Sequence, residues 1–215
     1  MRLVFLGAPG VGKGTQATRL AQERGVPHIA TGDMLRSAVA RATQGGIAAK
    51  SHIDAGRLVP DSVVIGIVLE RLSEPDAAAG YILDGFPRTV VQADALAEML
   101  DQRGATIDRV VYFSLDEEAL VDRIAGRRVC PACQAVYHMT HYPPRRAGFC
   151  DCGAALAQRK DDAPETVKVR LAAYRSETMP LIQYYETRGL LSHVEARGGI
   201  DEIAGRVKQA TGFCP

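Results

Sequence analysis

Two groups of residues carry chemistry in this sequence, and their spacing says what kind. The first is Gly7-Ala8-Pro9-Gly10-Val11-Gly12-Lys13-Gly14-Thr15, which follows a short apolar run and opens an amphipathic stretch. Glycines let consecutive backbone N–H groups converge on phosphate oxygens, and a helix N-terminus adds favourable potential there. Lys13 is then a point charge for the β- and γ-phosphates. One position departs from the generic phosphate loop. The Ser/Thr slot after Gly12-Lys13 holds Gly14, and Thr15 comes one residue later.

The second group is Cys130-Pro131-Ala132-Cys133 followed, sixteen residues on, by Cys150-Asp151-Cys152. The first half is a zinc knuckle and the overall separation suits a four-cysteine site. The second half is Cys-x-Cys where Cys-x₂-Cys is usual, so the fourth ligand is open between Cys152 and the fallbacks Asp151, His138 and His141. The metal would be structural, supplying folding energy that so short a segment lacks. Cys214 reads as a terminal thiol, and His28, His52 and His193 belong to no pattern.

The elements that must hold these groups are legible from periodicity. Short apolar runs at Leu3–Leu6, His28–Ala30, Tyr81–Leu83, Val110–Phe113 and Leu190–Val194 alternate with longer amphipathic stretches. That rhythm predicts βαβ units, an α/β fold and a parallel sheet. Helices are expected over Lys13–Arg24, Asp33–Ala42, Asp61–Leu72, Val90–Gln102, Glu117–Ile124, Glu165–Thr187 and Glu202–Thr211, with Asp61 as an N-cap and Gly25 and Gly104 as stops. Pro180 should break the long one near Thr178–Met179. Two stretches leave the rhythm: Thr31 to Val59, and Arg127 to Asp162. Both read as excursions from the sheet.

Composition limits the remaining classes. The chain has 215 residues, of which 47% are hydrophobic and 24% charged, enough to bury a core and too apolar for disorder. With 26 basic and 25 acidic residues there is no electrostatic case for a nucleic-acid or membrane surface. Arg145-Arg146 with Tyr142 is only a thin version of the basic, aromatic-laced patch that a nucleic-acid module needs. Clustered rather than scattered cysteines point to the cytoplasm.

Further blocks then give the sequence a likeness. Gly7–Thr15 is followed by Thr31-Gly32-Asp33-Met34-Leu35-Arg36, Asp84-Gly85-Phe86-Pro87-Arg88-Thr89, Asp122-Arg123-Ile124, Gly126-Arg127-Arg128, Val136-Tyr137-His138 and Arg159-Lys160-Asp161-Asp162. In that order, over residues 1 to about 195, they closely resemble the adenylate kinases. The resemblance implies a P-loop nucleoside monophosphate kinase fold, a five-stranded parallel sheet flanked by helices. It implies a core of residues 1–29, 60–125 and 163–215, an insertion at 30–59 over the monophosphate and a lid at 126–162 of the zinc-bearing type. The implied reaction is ATP + AMP ⇌ 2 ADP with Mg²⁺, serving adenine nucleotide homeostasis and AMP salvage in a cytoplasmic monomer. A pyrimidine-nucleotide kinase is the near alternative.

The same resemblance distributes roles. ATP would be held by Gly10, Val11, Gly12, Lys13, Gly14, Thr15, Arg123, Arg127, Val136, Tyr137 and Gly198. AMP would be held by Thr31, Arg36, Arg57, Leu58, Val59, Gly85, Phe86, Pro87, Arg88, Gln92, Arg159 and Arg170. Lys13, Arg88, Arg123, Arg127, Arg159 and Arg170 form the catalytic set, because phosphoryl transfer needs positioned cations more than covalent chemistry. Asp84, with Asp33, would hold the Mg²⁺ water shell. Gln92 offers an amide to the adenine edge, and the Cys130, Cys133, Cys150 and Cys152 thiols hold Zn²⁺.

Overall fold

The computed structural model describes residues 1–212; Cys214 lies outside the described residues. Strand β1 (Arg2–Gly7) leads through the Gly-rich loop into helix α1 (Lys13–Arg24), which Gly25 ends in a left-handed conformation. Then come β2 (His28–Ala30), α2 (Thr31–Ala40), α3 (Gln44–Asp54), α4 (Asp61–Arg71), β3 (Tyr81–Asp84), α5 (Val90–Gln102), β4 (Arg109–Ser114) and α6 (Glu117–Ala125). A small hairpin, β5 (Arg127–Val129) and β6 (Val136–His138), opens the cysteine-rich segment. The chain closes with α7 (Pro164–Ala173), α8 (Pro180–Glu186), β7 (Leu191–Glu195) and α9 (Ile200–Thr211).

Five strands pair in parallel in the order β2-β3-β1-β4-β7. The five expected strands are all present: β2 has the expected bounds, β7 is shifted by a residue, and β1, β3 and β4 are lengthened by a residue at one or both ends. Alternate residues of β1 feed opposite faces of the sheet: Val4 and Leu6 join Ile29, Leu83 and Phe86, whereas Leu3 and Phe5 join Ile82, Val111 and Phe113. Both faces are therefore covered, as the apolar strand sequences require. Chain direction from central β1 diverges to β2 and β3 on one side and β4 and β7 on the other. Carboxyl ends of β1 and β3 thus border the crevice where open parallel sheets bind ligands.

Helix ends needed correction. Pro60 occupies the N-cap of α4, so Asp61 is its first helical residue and its carboxylate is free for a tertiary partner. Helix α2 starts at Thr31, two residues early, and stops at Ala40 because Ala42 turns left-handed (φ 52°). Helix α9 also starts two residues early, at Ile200. The long helical pattern breaks where Pro180 predicts. Tyr174–Thr178 widens into a π-turn, with the Met179 N–H donating to Tyr174 O at 2.9 Å, and α8 restarts at the proline, whose missing N–H costs nothing at a first turn.

Candidate active site

The loop after β1 is built to receive an anion. Gly12 is left-handed (φ 100°), no side chain caps α1, and its first turn carries no acidic residue. Its leading N–H groups are left for a ligand. Lys13 meanwhile folds back, Nζ donating to Gly7 O at 2.7 Å and Ala8 O at 2.9 Å. The Gly14 departure now has a physical cause. A Cβ on Gly14 would lie 3.3 Å from Asp84 Oδ2, so glycine gives the carboxylate at the end of β3 its place beside the loop.

Cations from separate elements converge above these strand ends. Burial and, next, opposition between the attraction of Asp84 and the repulsion of Arg88, Arg170 and Arg127 push the Lys13 ammonium down to about 8. Burial first, and Arg170 second, push Arg88 down to about 10. Burial, Arg36 and Arg127 do the same to Arg159, also to about 10. Such crowding of like charge is an electrostatic demand for an anion.

Carboxylates meet part of that demand. Asp162, with a fully buried side chain, receives both ends of the Arg127 guanidinium, Nε at 2.9 Å, and Arg170 Nη1 at 3.1 Å. Asp161 lies 3.1 Å from Arg170, and Asp33 joins Arg36 (2.5 Å) to Arg159 (3.4 Å). Burial alone would raise the Asp84 carboxyl, but the His28 ring, 3.4 Å away, and the charge of Lys13 hold it below the usual carboxylate range. Arg123 is fixed at the loop itself, donating to Val11 O (3.1 Å) and Ala196 O (2.8 Å), two residues from Gly198 (φ 101°).

Beside β3 a cleft of about 610 Å³ brings together Thr31, Arg36, Arg57, Leu58, Val59, Gly85, Arg88, Gln92 and Arg170. Thr31 Oγ1 is buried there with no hydrogen-bond partner among the described residues, which leaves the hydroxyl for a ligand. Phe86, fully buried, is core, and Pro87 follows it through a cis peptide; neither lines the cleft. Arg159 stands outside the cleft lining too, reaching toward it through Asp33.

In the cysteine-rich segment, the four sulfurs of Cys130, Cys133, Cys150 and Cys152 lie within 4.8 Å of one another. Cys130 and Cys152 are 3.5 Å apart, and Cys133 and Cys150 3.4 Å. Tetrahedral Zn–S bonds of 2.3 Å require about 3.8 Å between sulfurs, so the thiols fit zinc with small adjustments. The Cys152 N–H and the Tyr137 hydroxyl, 3.4 Å from Cys150 Sγ, push the Cys150 thiol down to about 6, toward the thiolate a metal takes. Cys152 therefore takes its place in the cluster, and the three fallbacks do not. Asp151 turns out toward Arg145, while His138 and His141 stack at 4.4 Å against Asp122 of α6. His138 Nδ1 accepts two backbone N–H groups, from Thr140 and His141. Its Nε2 must then keep the proton, which removes it as a ligand. Tyr137 is buried against the cysteines, so its side chain serves the interior of the cysteine-rich segment, while Val136 is exposed.

Several functional contacts were invisible in the sequence. His28 belonged to no pattern, yet its Nε2 lies 3.4 Å from Asp84 Oδ2 and its Nδ1 3.1 Å from Thr18 Oγ1. Asp161 and Asp162 had no assigned role beyond their motif. Gly126 accepts the His138 ring where a Cβ would collide with it. Only the pairing of β2 with β3, in which Ala30 lies beside Asp84, brings His28 to that carboxylate.

A phosphate loop after β1, a carboxylate ending β3 and arginines converging on one crevice define a P-loop nucleoside monophosphate kinase. The adenylate kinase family profile matches residues 5–190. Over 213 residues the chain is 47% identical to the adenylate kinase of Bacillus licheniformis (99% of this chain, 98% of the relative) and 51% identical to that of Anaeromyxobacter dehalogenans (99% and 100%). The adenylate kinase of Archaeoglobus fulgidus is 52% identical over 204 residues, 94% of each chain. The chain belongs to the adenylate kinase family, and its reaction is the reversible transfer ATP + AMP ⇌ 2 ADP, with Mg²⁺ accompanying ATP. Among the described residues no helix is long and apolar enough to cross a membrane.

Proposed function

We propose that the two nucleotides divide the crevice. ATP lies along Gly10–Thr15, with Lys13 leaving the Gly7 and Ala8 carbonyls for the phosphates. Arg123, the backbone of Val136 and Tyr137, and Gly198 border its adenosine. AMP enters the cleft beside β3, its phosphate held by Arg36 and Arg88 and its base near Thr31, the Arg57–Val59 backbone and Gln92, with Gly85, Phe86 and Pro87 shaping the loop behind it. Arg127, Arg159 and Arg170 then act on the transferring group, where charge spreads over three equatorial oxygens and positioned guanidinium groups stabilise it.

The carboxylates bound to these arginines act as stand-ins for phosphate. Asp33 and Asp161 release Arg36, Arg159 and Arg170 when phosphates arrive, and the exchange preserves charge balance in both states. Asp84 and the freed Asp33 hold waters of the Mg²⁺ that neutralises the β- and γ-phosphates. Residues 30–59 cover AMP and residues 126–162 form a lid over ATP, excluding water that would divert the γ-phosphate to hydrolysis. The four cysteines hold Zn²⁺, which keeps the lid folded and takes no part in the chemistry. The enzyme works as a cytoplasmic monomer.

The observation that carries this reading is the convergence of Lys13 of α1, Arg88 of the loop after β3, Arg127 of β5 and Arg170 of α7 on one crevice. Its test is an acceptor panel with Mg-ATP and AMP, CMP, UMP or GMP, run on the natural enzyme and on Arg88→Ala. AMP should be strongly preferred, and Arg88→Ala should lower kcat/KM for AMP by about 10²- to 10³-fold. Equal use of a pyrimidine acceptor, or an Arg88→Ala enzyme as active as the parent, would sink it.

A further inference from the structure

Gln92 is 1% exposed, yet it lines the cleft beside β3. Both ends of its amide are already engaged from within the protein. Its Oε1 accepts the Arg88 N–H at 2.8 Å, and its Nε2 donates to Asp61 Oδ1 at 2.7 Å. The Thr89 hydroxyl also donates to Asp61 Oδ1, at 3.0 Å, while accepting the Gln92 N–H at 3.2 Å as the cap of α5. Asp61, displaced from the cap position of α4, thus reaches a residue thirty-one positions away.

These partners settle the orientation of the amide. Oxygen and nitrogen ends are nearly equal in shape, so packing alone would tolerate a half-turn flip. Chemistry does not. An N–H must face an acceptor and a carboxylate must face a donor, and only the observed order satisfies both. One N–H and one oxygen lone pair of the amide remain for a ligand, in a fixed order. Adenine presents an exocyclic N–H donor beside a ring-nitrogen acceptor, whereas hypoxanthine and guanine present the reverse. A free amide could flip to serve either; an anchored one leaves the wrong base with unpaired buried groups, which is the strongest form of discrimination.

We propose that Asp61 is a specificity-determining positioning residue: by anchoring the Gln92 amide it selects 6-amino purine monophosphates over 6-oxo purine monophosphates. This rests on the reading that the cleft beside β3 receives the base of the acceptor nucleotide. Asp61 touches no substrate, and its effect passes through Gln92.

The test compares AMP and IMP as acceptors, with Mg-ATP, in the parent enzyme, Asp61→Asn, Asp61→Ala, Gln92→Ala and Thr89→Val. The AMP:IMP ratio of kcat/KM should fall by about 10- to 100-fold in Asp61→Ala, the span expected for a hydrogen bond to a charged group. Asp61→Asn, which keeps a neutral acceptor, should fall between the two. The KM for ATP should not move. Thr89→Val loses the α5 cap but keeps the Asp61–Gln92 bond, so it should lose stability and keep the ratio. Independently of turnover, the Gln92 side-chain amide in nucleotide-free protein should give one slowly exchanging proton by ¹⁵N NMR. That protection should be lost in Asp61→Ala and weakened in Asp61→Asn. Should Asp61→Ala fail to fold, Asp61→Asn decides by the same two readouts. An unchanged ratio in a folded Asp61 variant overturns the proposal if Gln92→Ala does shift it. If Gln92→Ala leaves the ratio unchanged as well, the base-pocket reading has failed first.

Discussion

Residues 30–59 and residues 126–162 both rise from the carboxyl side of the sheet, and they are held by different forces. In the first, α2, α3 and the connection to α4 bury Leu35, Ala49 and Val59 in the same cluster as Val4, Leu83 and Phe86 of the main core. In the second, the buried cluster is Cys130, Tyr137 and Cys150 with Ala135, Ala154 and Leu156 packed against it, separate from both faces of the sheet. Val136, Met139 and Tyr142 remain exposed. So small a segment cannot exclude enough water to fold on apolar burial alone. One segment therefore shares the apolar cluster of the core, whereas the other has a small cluster of its own.

Removal of the zinc proposed for the four-cysteine cluster is the largest expected break in that contrast. Thiol-bound zinc contributes apparent binding energies on the order of 10 kcal/mol to small folds. A strong chelator should expose residues 126–162 to rapid proteolysis while amide exchange in α2 and α3 stays slow. Loss of protection in both segments together would erase the difference. Cys130→Ser and Cys152→Ser should each lose the metal, measured by zinc content, and Asp151→Ala and His141→Ala should not.

Next is Asp162→Ala, which leaves Arg127 and Arg170 facing each other without their shared carboxylate. Breaking a buried pair of this kind costs about 3–5 kcal/mol. Urea denaturation should show that loss, and saturating ADP should recover much of it as phosphates take the carboxylate's place. A loss of the same size with and without ADP would argue against the stand-in role.

Leu35→Ala sharpens the other half of the comparison. A cavity at this site should cost about 3 kcal/mol. Because Leu35 belongs to the main core, the loss should appear in a single global transition, with no separate early opening of residues 30–59. A resolved early phase by hydrogen exchange would show that this segment, too, stands alone.

The smallest effect is a pH slope. Burial holds the Lys13 ammonium at about 8 in the folded chain, below its ordinary 10.5. The folded state thus disfavours the charged form, a cost fully present below pH 8 and relieved as pH rises from 8 to 10.5. Lys13→Met should be more stable than the parent at pH 7 in nucleotide-free protein, and the gap should narrow toward pH 10. Melting temperatures of the two proteins across that range decide it; a parallel pair of curves would mean that the ammonium is solvated.

Legibility followed the range of the interaction. The Gly7–Thr15 loop, the five strands and the break at Pro180 were readable because each depends on neighbours a few residues apart, and the cysteine cluster because paired thiols at this separation have a metal-site spacing. The fourth cysteine was less so: Cys-x-Cys spacing left Asp151 and two histidines in contention, and only the hairpin and its turns bring the Cys152 sulfur within 3.5 Å of Cys130. Asp61 misled, because an acidic residue at a helix start has the same local appearance whether it caps the helix or, as here, anchors Gln92.

By itself, then, the sequence determined the element types, the sheet's two buried faces, the phosphate loop and the supply of cations for two polyphosphates. Periodicity, glycine placement and residue chemistry act locally, so they survive without coordinates. Tertiary structure alone decided which polar partner each carboxylate meets: Asp162 meets Arg127 and Arg170, Asp33 meets Arg36 and Arg159, Asp84 meets the His28 ring, and Asp61 meets the Gln92 amide. A charge attracts every opposite charge in the chain, and only the packing of β2, β3, α4 and α7 around one crevice selects a partner for each.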